Sequence, residues 1–331
     1  MKTSVLELSN LIQGFQLSCQ TEGKSPVTVE WYTSFLERFR RFLEQNGLPT
    51  YVNQLDKNFV RKFILHLQQE AKVPNTGKPL SAATVQGYVR TLKSFSSWLL
   101  REEYVPINLM AKIPVPKGET KVINTFSNEQ VGKIANVCYR SNGNGHRNLL
   151  ISMLMLDTGV RVSELVNIDI DDINLNEGLI KIRAGKGNKE RVLPIGSVVR
   201  KLVWKYLNCY RPQPLTIKIC NLFLSSDGLK LTRNGVQQMI RRCGRQAGIS
   251  GVRCSPHTFR HTFAKNYLIN GGDIFSLQKI LGHSSLASVR AYLNFFGVDI
   301  KKQHQKYSPV DNLVDEPAIY PLIRVSSLTK S

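Results

Sequence analysis

The sequence predicts a mainly α protein of two domains, with one small antiparallel β-sheet confined to the second. Three observations carry that expectation. With 331 residues and 42% hydrophobic side chains, the chain is long enough to bury two cores and too apolar for wholesale disorder. Over residues 1–113 apolar side chains recur every three or four positions, without β-type alternation. Alternation of that kind is confined to the two sides of Gly185-Lys186-Gly187-Asn188. The proline-bearing stretch Pro106 to Asn124 reads as an exposed connection. The expected organisation is a helical domain over 1–113, a linker over 114–124, a second domain over 125–307 and a tail over 308–331.

The first domain reads as a bundle of four to five helices. Leu8, Leu11, Ile12, Phe15 and Leu17 stand close to helical spacing between Val5 and Cys19. Ser25-Pro26 opens a second helix carrying Val29, Tyr32, Phe35, Leu36, Phe39 and Leu43. Phe59, Phe63, Ile64 and Leu67 mark a third within Leu55 to Glu70. Pro74-Asn75-Thr76-Gly77-Lys78-Pro79 is a loop by its turn residues, and Ser81 caps a helix with Val85, Tyr88, Val89, Leu92, Phe95 and Trp98. In the second domain, Ser127-Asn128-Glu129-Gln130 is a capping box. Helices are predicted at 127–140, 145–158, 162–166, 197–210, 232–248, 257–270, 273–281 and 285–295, with a hairpin formed by 178–184 and 189–195.

Charge narrows the partner class. Lys and Arg number 45 against 24 Asp and Glu, a net +21, which points to a polyanion and above all to nucleic acid. Residues 1–113 hold 14 basic and 9 acidic side chains while 114–331 hold 31 and 15, so the second part is the stronger candidate for a phosphate backbone. The six cysteines, at 19, 138, 209, 220, 243 and 254, form no CxxC pair and exclude a zinc ribbon or a dense disulfide framework. With no apolar run of membrane-spanning length and no signal-peptide core, the expectation is a soluble cytoplasmic protein without a membrane partner.

The residues able to carry chemistry are few. In Thr158-Gly159-Val160-Arg161-Val162-Ser163-Glu164-Leu165 a glycine ends one helix and Arg161 begins the next, with Glu164 placed to hold its guanidinium. An ordinary surface ion pair would give the same spacing. Lys186, between two glycines of the hairpin turn, is either a solvated turn residue or a mobile ammonium that can protonate a leaving oxygen. His257 and Arg260 share one face at the start of a helix opened by Pro256, where the helix field favours an anion. His261 stands four residues from His257, a zinc-compatible spacing with no obvious third ligand. His283 follows Leu281-Gly282 and reads equally as a helix cap, and Tyr292 reads equally as a core residue. Taken together, two arginines, a lysine, histidines and a phenol supply every part of a metal-free phosphoryl transfer.

Those segments resemble the tyrosine recombinases of the phage integrase family, in the style of the Xer-type and mobile-element integrases. The resemblance runs through Arg161 and its flanks, Gly185-Lys186-Gly187-Asn188-Lys189-Glu190-Arg191, Pro256-His257-Thr258-Phe259-Arg260-His261, Leu281-Gly282-His283-Ser284-Ser285-Leu286 and Tyr292. It extends over about 124–295, and the helical amino-terminal region resembles the family's core-binding (SAM-like) domain. The resemblance implies a two-domain clamp around duplex DNA, with Arg161 and Arg260 clamping the scissile phosphate and Lys186 as general acid for the 5′-hydroxyl leaving group. His257 and His283 would hydrogen-bond the phosphate or assist proton transfer, and Tyr292 would be the nucleophile of a 3′-phosphotyrosyl intermediate. It implies no metal and no cofactor, and a homo-tetramer on paired recombination sites.

Two positions depart from the family pattern: Val289 and Asn294 stand where threonine and histidine are frequent. Tyr267 and Tyr307 are alternative phenols at the wrong distance from His283. Arg90, Lys93, Arg233, Arg241 and Arg242 are candidate DNA contacts, because basic residues cluster on predicted helices. Two other functions remain open at this point: type IB topoisomerase-like relaxation, and a non-catalytic basic DNA-binding regulator.

Overall fold

The computed structural model describes residues 6–74, 76–118, 123–141, 143–183, 190–282 and 308. The predicted helix at 285–295, with His283 and Tyr292, lies outside the described residues, as does Lys186. The chain divides into two compact units, Met1–Lys121 and Val122–Ser331.

The first unit is a bundle of α1 (Leu8–Thr21), α2 (Pro26–Gln45), α3 (Lys57–Gln69) and α4 (Ala82–Arg101), with a single 3₁₀ turn at Val52–Gln54. Its helix starts are local chemistry. Ser25 and Ser81 accept from the backbone N–H groups of Thr28 and Thr84 at 3.3 and 3.2 Å, satisfying donors that a helix start leaves free. The apolar stripes then meet in an aromatic core. Phe15 meets Phe95 edge-on at 5.4 Å, and Phe35 stacks on Tyr88 at 3.9 Å.

The stretch read as an exposed connection is partly core. Met110 and Ile113 are buried, and Lys93 and Gln86 of α4 donate to the carbonyls of Met110 and Pro116, each at 2.9 Å. The apolar residues spaced between the prolines explain this, since they extend the bundle's core along α4.

The second unit is built around α6 (Gly145–Thr158), which packs against α5 (Asn128–Arg140), α8 (Ser197–Lys205) and α10 (Pro256–Ile269). Being covered on several sides, α6 buries Leu150, Ile151, Leu154 and Met155 almost completely. The capping box at Ser127 is present in full, with Gln130 Oε1 accepting from the Ser127 N–H at 3.0 Å. The short helix α7 (Val162–Leu165) follows α6. A three-stranded antiparallel sheet in the order β1 (Ile173–Asn174), β2 (Leu179–Ile182), β3 (Arg191–Pro194) comes next.

The predicted hairpin is β2–β3, registered Leu179 to Pro194 and Ile182 to Arg191. The two-residue β1 is an addition, too short to leave any period in the sequence. The helix predicted over 197–210 is α-helical only to Lys205. It then widens into a π-turn over Tyr206–Tyr210 that accommodates the fully buried Tyr206 ring. The described part closes with α9 (Arg233–Gln246), α10 and α11 (Ile274–Leu281). No helix among the described residues is long and apolar enough to cross a membrane.

Candidate active site

Four elements of the second unit meet around the carboxyl end of α11. Gly159 ends α6 in the left-handed region (φ 61°), and a Cβ there would lie 2.5 Å from Phe263 and 2.8 Å from Leu281, so only glycine fits. Two residues later Arg161 is the N-cap of α7. Its backbone N–H donates to Glu164 Oε2 and its Nη1 to Glu164 Oε1, both at 2.9 Å, while Nη2 reaches the carbonyl of Gly282 at 3.0 Å. Its side chain keeps 37% of its exposure, enough to meet a ligand.

Arg260 arrives from α10. Ser255 caps this helix and Pro256 occupies its first turn, so His257 and Arg260 lie at its amino-terminal end. Arg260 is buried, with Nη1 donating to the Gly159 carbonyl at 2.5 Å and Nη2 to the Leu281 carbonyl at 2.7 Å. Arg161 and Arg260, far apart in sequence, thus hold consecutive carbonyls of one helix end.

His257, three residues before Arg260 on the same helix, is exposed. Desolvation by its surroundings, then the positive charges of Arg260, Arg253 and Arg161, lower its pKa below the ordinary imidazole value. The shift favours the neutral ring, which can accept a proton or a hydrogen bond. His261 is half-buried, and its pKa is lowered first by burial and then by His257 and Arg260.

Sequence reasoning left Arg191 without a role. It projects from β3 on the same face as buried Leu193, while Val192 points outward and is 55% exposed. An arginine on the inner face of a strand was the available signal. Its Nη1 and Nη2 grip the two Glu164 oxygens at 2.9 and 2.8 Å, and its Nε donates to the Ile280 carbonyl at 2.9 Å.

Glu164 is consequently the buried anion of the cluster. Burial pushes its carboxyl up, but the Arg191 side chain, the Arg161 N–H and the two guanidinium charges outweigh it and hold the pKa at about 2, against an ordinary 4.5. A folded-state value below the unfolded one gives stability that is complete above about pH 4.5 and lost as pH falls toward 2. The loss from this one group is on the order of 3 kcal/mol. Urea titrations from pH 6 to pH 2 should therefore show a loss of stability about that much smaller in Glu164→Gln than in the unaltered protein.

The other candidates are distributed more widely. Arg90 is exposed on α4, and Arg233, Arg241 and Arg242 are exposed on α9. Lys93 is half-buried, with its ammonium on the Met110 carbonyl. The alternative phenol Tyr267 packs against Gly272, where a Cβ would come within 2.2 Å of its ring.

Comparison with known proteins places this arrangement. Residues 124–296 match the phage integrase family, and residues 10–115 match the phage integrase SAM-like domain. The tyrosine recombinase XerD of Staphylococcus haemolyticus is 30% identical over 304 residues, covering 91% of this chain and 99% of that protein. Among solved structures, the Tn1549 transposon integrase in complex with transposon right-end DNA superposes with a TM-score of 0.71 at 18% identity, over 92% of this chain and 100% of that one. The XerH site-specific recombinase bound to a palindromic difH substrate gives 0.67 at 23% identity, over 87% and 81%. At these identities the two structures establish the fold.

Proposed function

The chain belongs to the phage integrase family, and from that premise we propose that it recombines DNA site-specifically, cleaving and rejoining strands through a 3′-phosphotyrosyl intermediate. The observation that carries the reading is the convergence of Arg161 and Arg260 at the end of α11, with His257 exposed at the start of the helix that brings Arg260. Two guanidiniums and an imidazole suit a phosphodiester whose non-bridging oxygens gain charge in a pentacoordinate transition state.

In the proposed reaction the Tyr292 phenol loses its proton and its oxygen bonds to phosphorus. The bond from phosphorus to the 5′ oxygen breaks, and Lys186 gives that oxygen a proton. His257 and His283 hydrogen-bond the phosphate or take up the phenol proton. The phosphotyrosyl bond conserves the energy of the broken linkage, so a 5′-hydroxyl can reverse the step on another strand without metal or nucleotide.

The partner is double-stranded DNA, in keeping with the net +21 charge. In this reading residues 1–113 form a core-binding DNA-binding domain joined by 114–124 to a catalytic domain over 125–307. Arg90, Lys93, Arg233, Arg241 and Arg242 are proposed DNA contacts. The active form is a homo-tetramer on paired sites in the cytoplasm, because exchange of two duplexes needs four cleavages.

The test is an assay with two sites taken from genomic DNA flanking the coding region. Recombinant product that requires both sites supports the reading. Relaxation of supercoils without site preference would replace it with a type IB topoisomerase-like activity, and tight duplex binding without any cleavage would leave a DNA-binding regulator.

A further inference from the structure

Three consecutive carbonyls at the carboxyl end of α11 are held by three arginines from three different elements. Ile280 accepts from Arg191 of β3 at 2.9 Å, Leu281 from Arg260 of α10 at 2.7 Å, and Gly282 from Arg161 at the start of α7 at 3.0 Å. A helix leaves its last carbonyls without intrahelical donors, so this end is an acceptor cluster that guanidiniums can organise. Arg161 and Arg260 already have parts in the proposed chemistry. Arg191 has none, although it is the best enclosed of the groups around Glu164, with 15% of its side chain exposed.

Its contacts define what it can do. Arg191 occupies both oxygens of Glu164, the carboxylate that also takes the Arg161 N–H and Nη1. Gly282 turns in the left-handed region at φ 63°, and a Cβ there would sit 3.1 Å from Arg191 Cζ, so the guanidinium lies directly against that turn. Without Arg191, the buried Glu164 charge would be offset by Arg161 alone. The pull on Arg161 would rise and compete with a phosphate for the same donors.

We propose that Arg191 is a positioning residue of the cleavage site, setting Arg161 through Glu164 and the end of α11 through the Ile280 carbonyl. It does so without touching DNA. The chain continues from this helix end directly into His283, so one side chain governs a proposed phosphate ligand and the exit leading to another. The inference rests on the recombinase reading of Arg161.

Single-turnover formation of the covalent complex on a nicked duplex at saturating DNA tests it, with Arg191→Ala, Arg191→Lys, Arg161→Ala and the Arg161→Ala/Arg191→Ala double variant. Arg191→Ala is expected to slow cleavage about 100-fold, the scale of an ångström-sized misplacement, while duplex affinity stays within about threefold because most phosphate contacts lie elsewhere. Arg191→Lys keeps the charge but cannot bridge both Glu164 oxygens and reach Ile280, so it recovers only part of the rate.

In the Arg161→Ala background, removing Arg191 is expected to cost at most about tenfold, because the part of its effect that runs through Arg161 is already lost and only the part through the end of α11 is left. Equal losses in both backgrounds, or no loss in either, would overturn the proposal. A second readout needs no cleavage: the ¹⁵N signal of the Arg161 guanidinium in DNA-free protein should sharpen or shift in both Arg191 variants, and an unchanged signal overturns the proposal. An unaltered protein that forms no covalent complex would instead count against the recombinase reading, and the guanidinium signal then decides the coupling by itself.

Discussion

Tyr292→Phe is expected to abolish covalent attachment to DNA and to leave duplex binding within about threefold of the unaltered protein, because one phenol oxygen among many backbone contacts contributes little to affinity. The substitution removes a single atom. A phenylalanine ring fills the same space, so a packing defect is a poor explanation for any loss. A phenol with an ordinary pKa near 10 is scarcely ionised at pH 7, and in the proposed mechanism the cations Arg161 and Arg260 would make Tyr292 a competent nucleophile. Gel-shift titration and denaturing electrophoresis on the same nicked duplex separate the two effects. Full binding with no adduct is the expected pair, and an adduct from the phenylalanine variant would exclude Tyr292.

The second large effect belongs to Arg260. Arg260→Ala is expected to slow cleavage by on the order of 10³-fold, the scale for removing a preorganised charged donor from a developing phosphate charge. It also strips the Gly159 and Leu281 carbonyls of their donor, each worth about 1–3 kcal/mol if left buried and unpaired. Arg260→Lys separates these contributions. A lysine restores the charge but cannot span two carbonyls and a phosphate at once, so stability should return further than rate. Urea denaturation beside single-turnover cleavage gives both numbers. A lysine variant that cleaves at the unaltered rate would remove Arg260 from the chemistry and leave it a structural staple.

How far the sequence revealed this arrangement depends on how local each feature is. Ser25, Ser81 and Ser127 gave away their helix starts because a cap is settled within three residues. Gly159 followed by Arg161 was readable as a helix end and a new start for the same reason. The β2–β3 hairpin showed through its alternation, but β1 did not, since a two-residue strand exists only through its partner. The wide turn at Tyr206–Tyr210 answers to the burial of Tyr206, a tertiary fact that propensity does not record.

The same division runs through the site. Arg161, His257 and Arg260 were nameable as chemistry. That Arg161 and Arg260 hold adjacent backbone carbonyls was not, because carbonyls carry no sequence signal. Glu164 was legible as the partner of Arg161 through its three-residue spacing. Its second and tighter partner, Arg191, comes from a strand 27 positions away. Lys186, His283 and Tyr292 fall outside the described residues, and their roles rest on the family resemblance and on the experiments above.

The most direct measurement is the chemical identity of the DNA-linked residue. The unaltered protein is trapped on a nicked duplex, digested with protease and nuclease, and the modified peptide is sequenced by mass spectrometry. A nucleotide joined through its 3′-phosphate to Tyr292 is the expected result. A linkage at Tyr267 or Tyr307, a 5′-phosphate linkage, or cleaved DNA with no attached peptide would contradict the proposed mechanism.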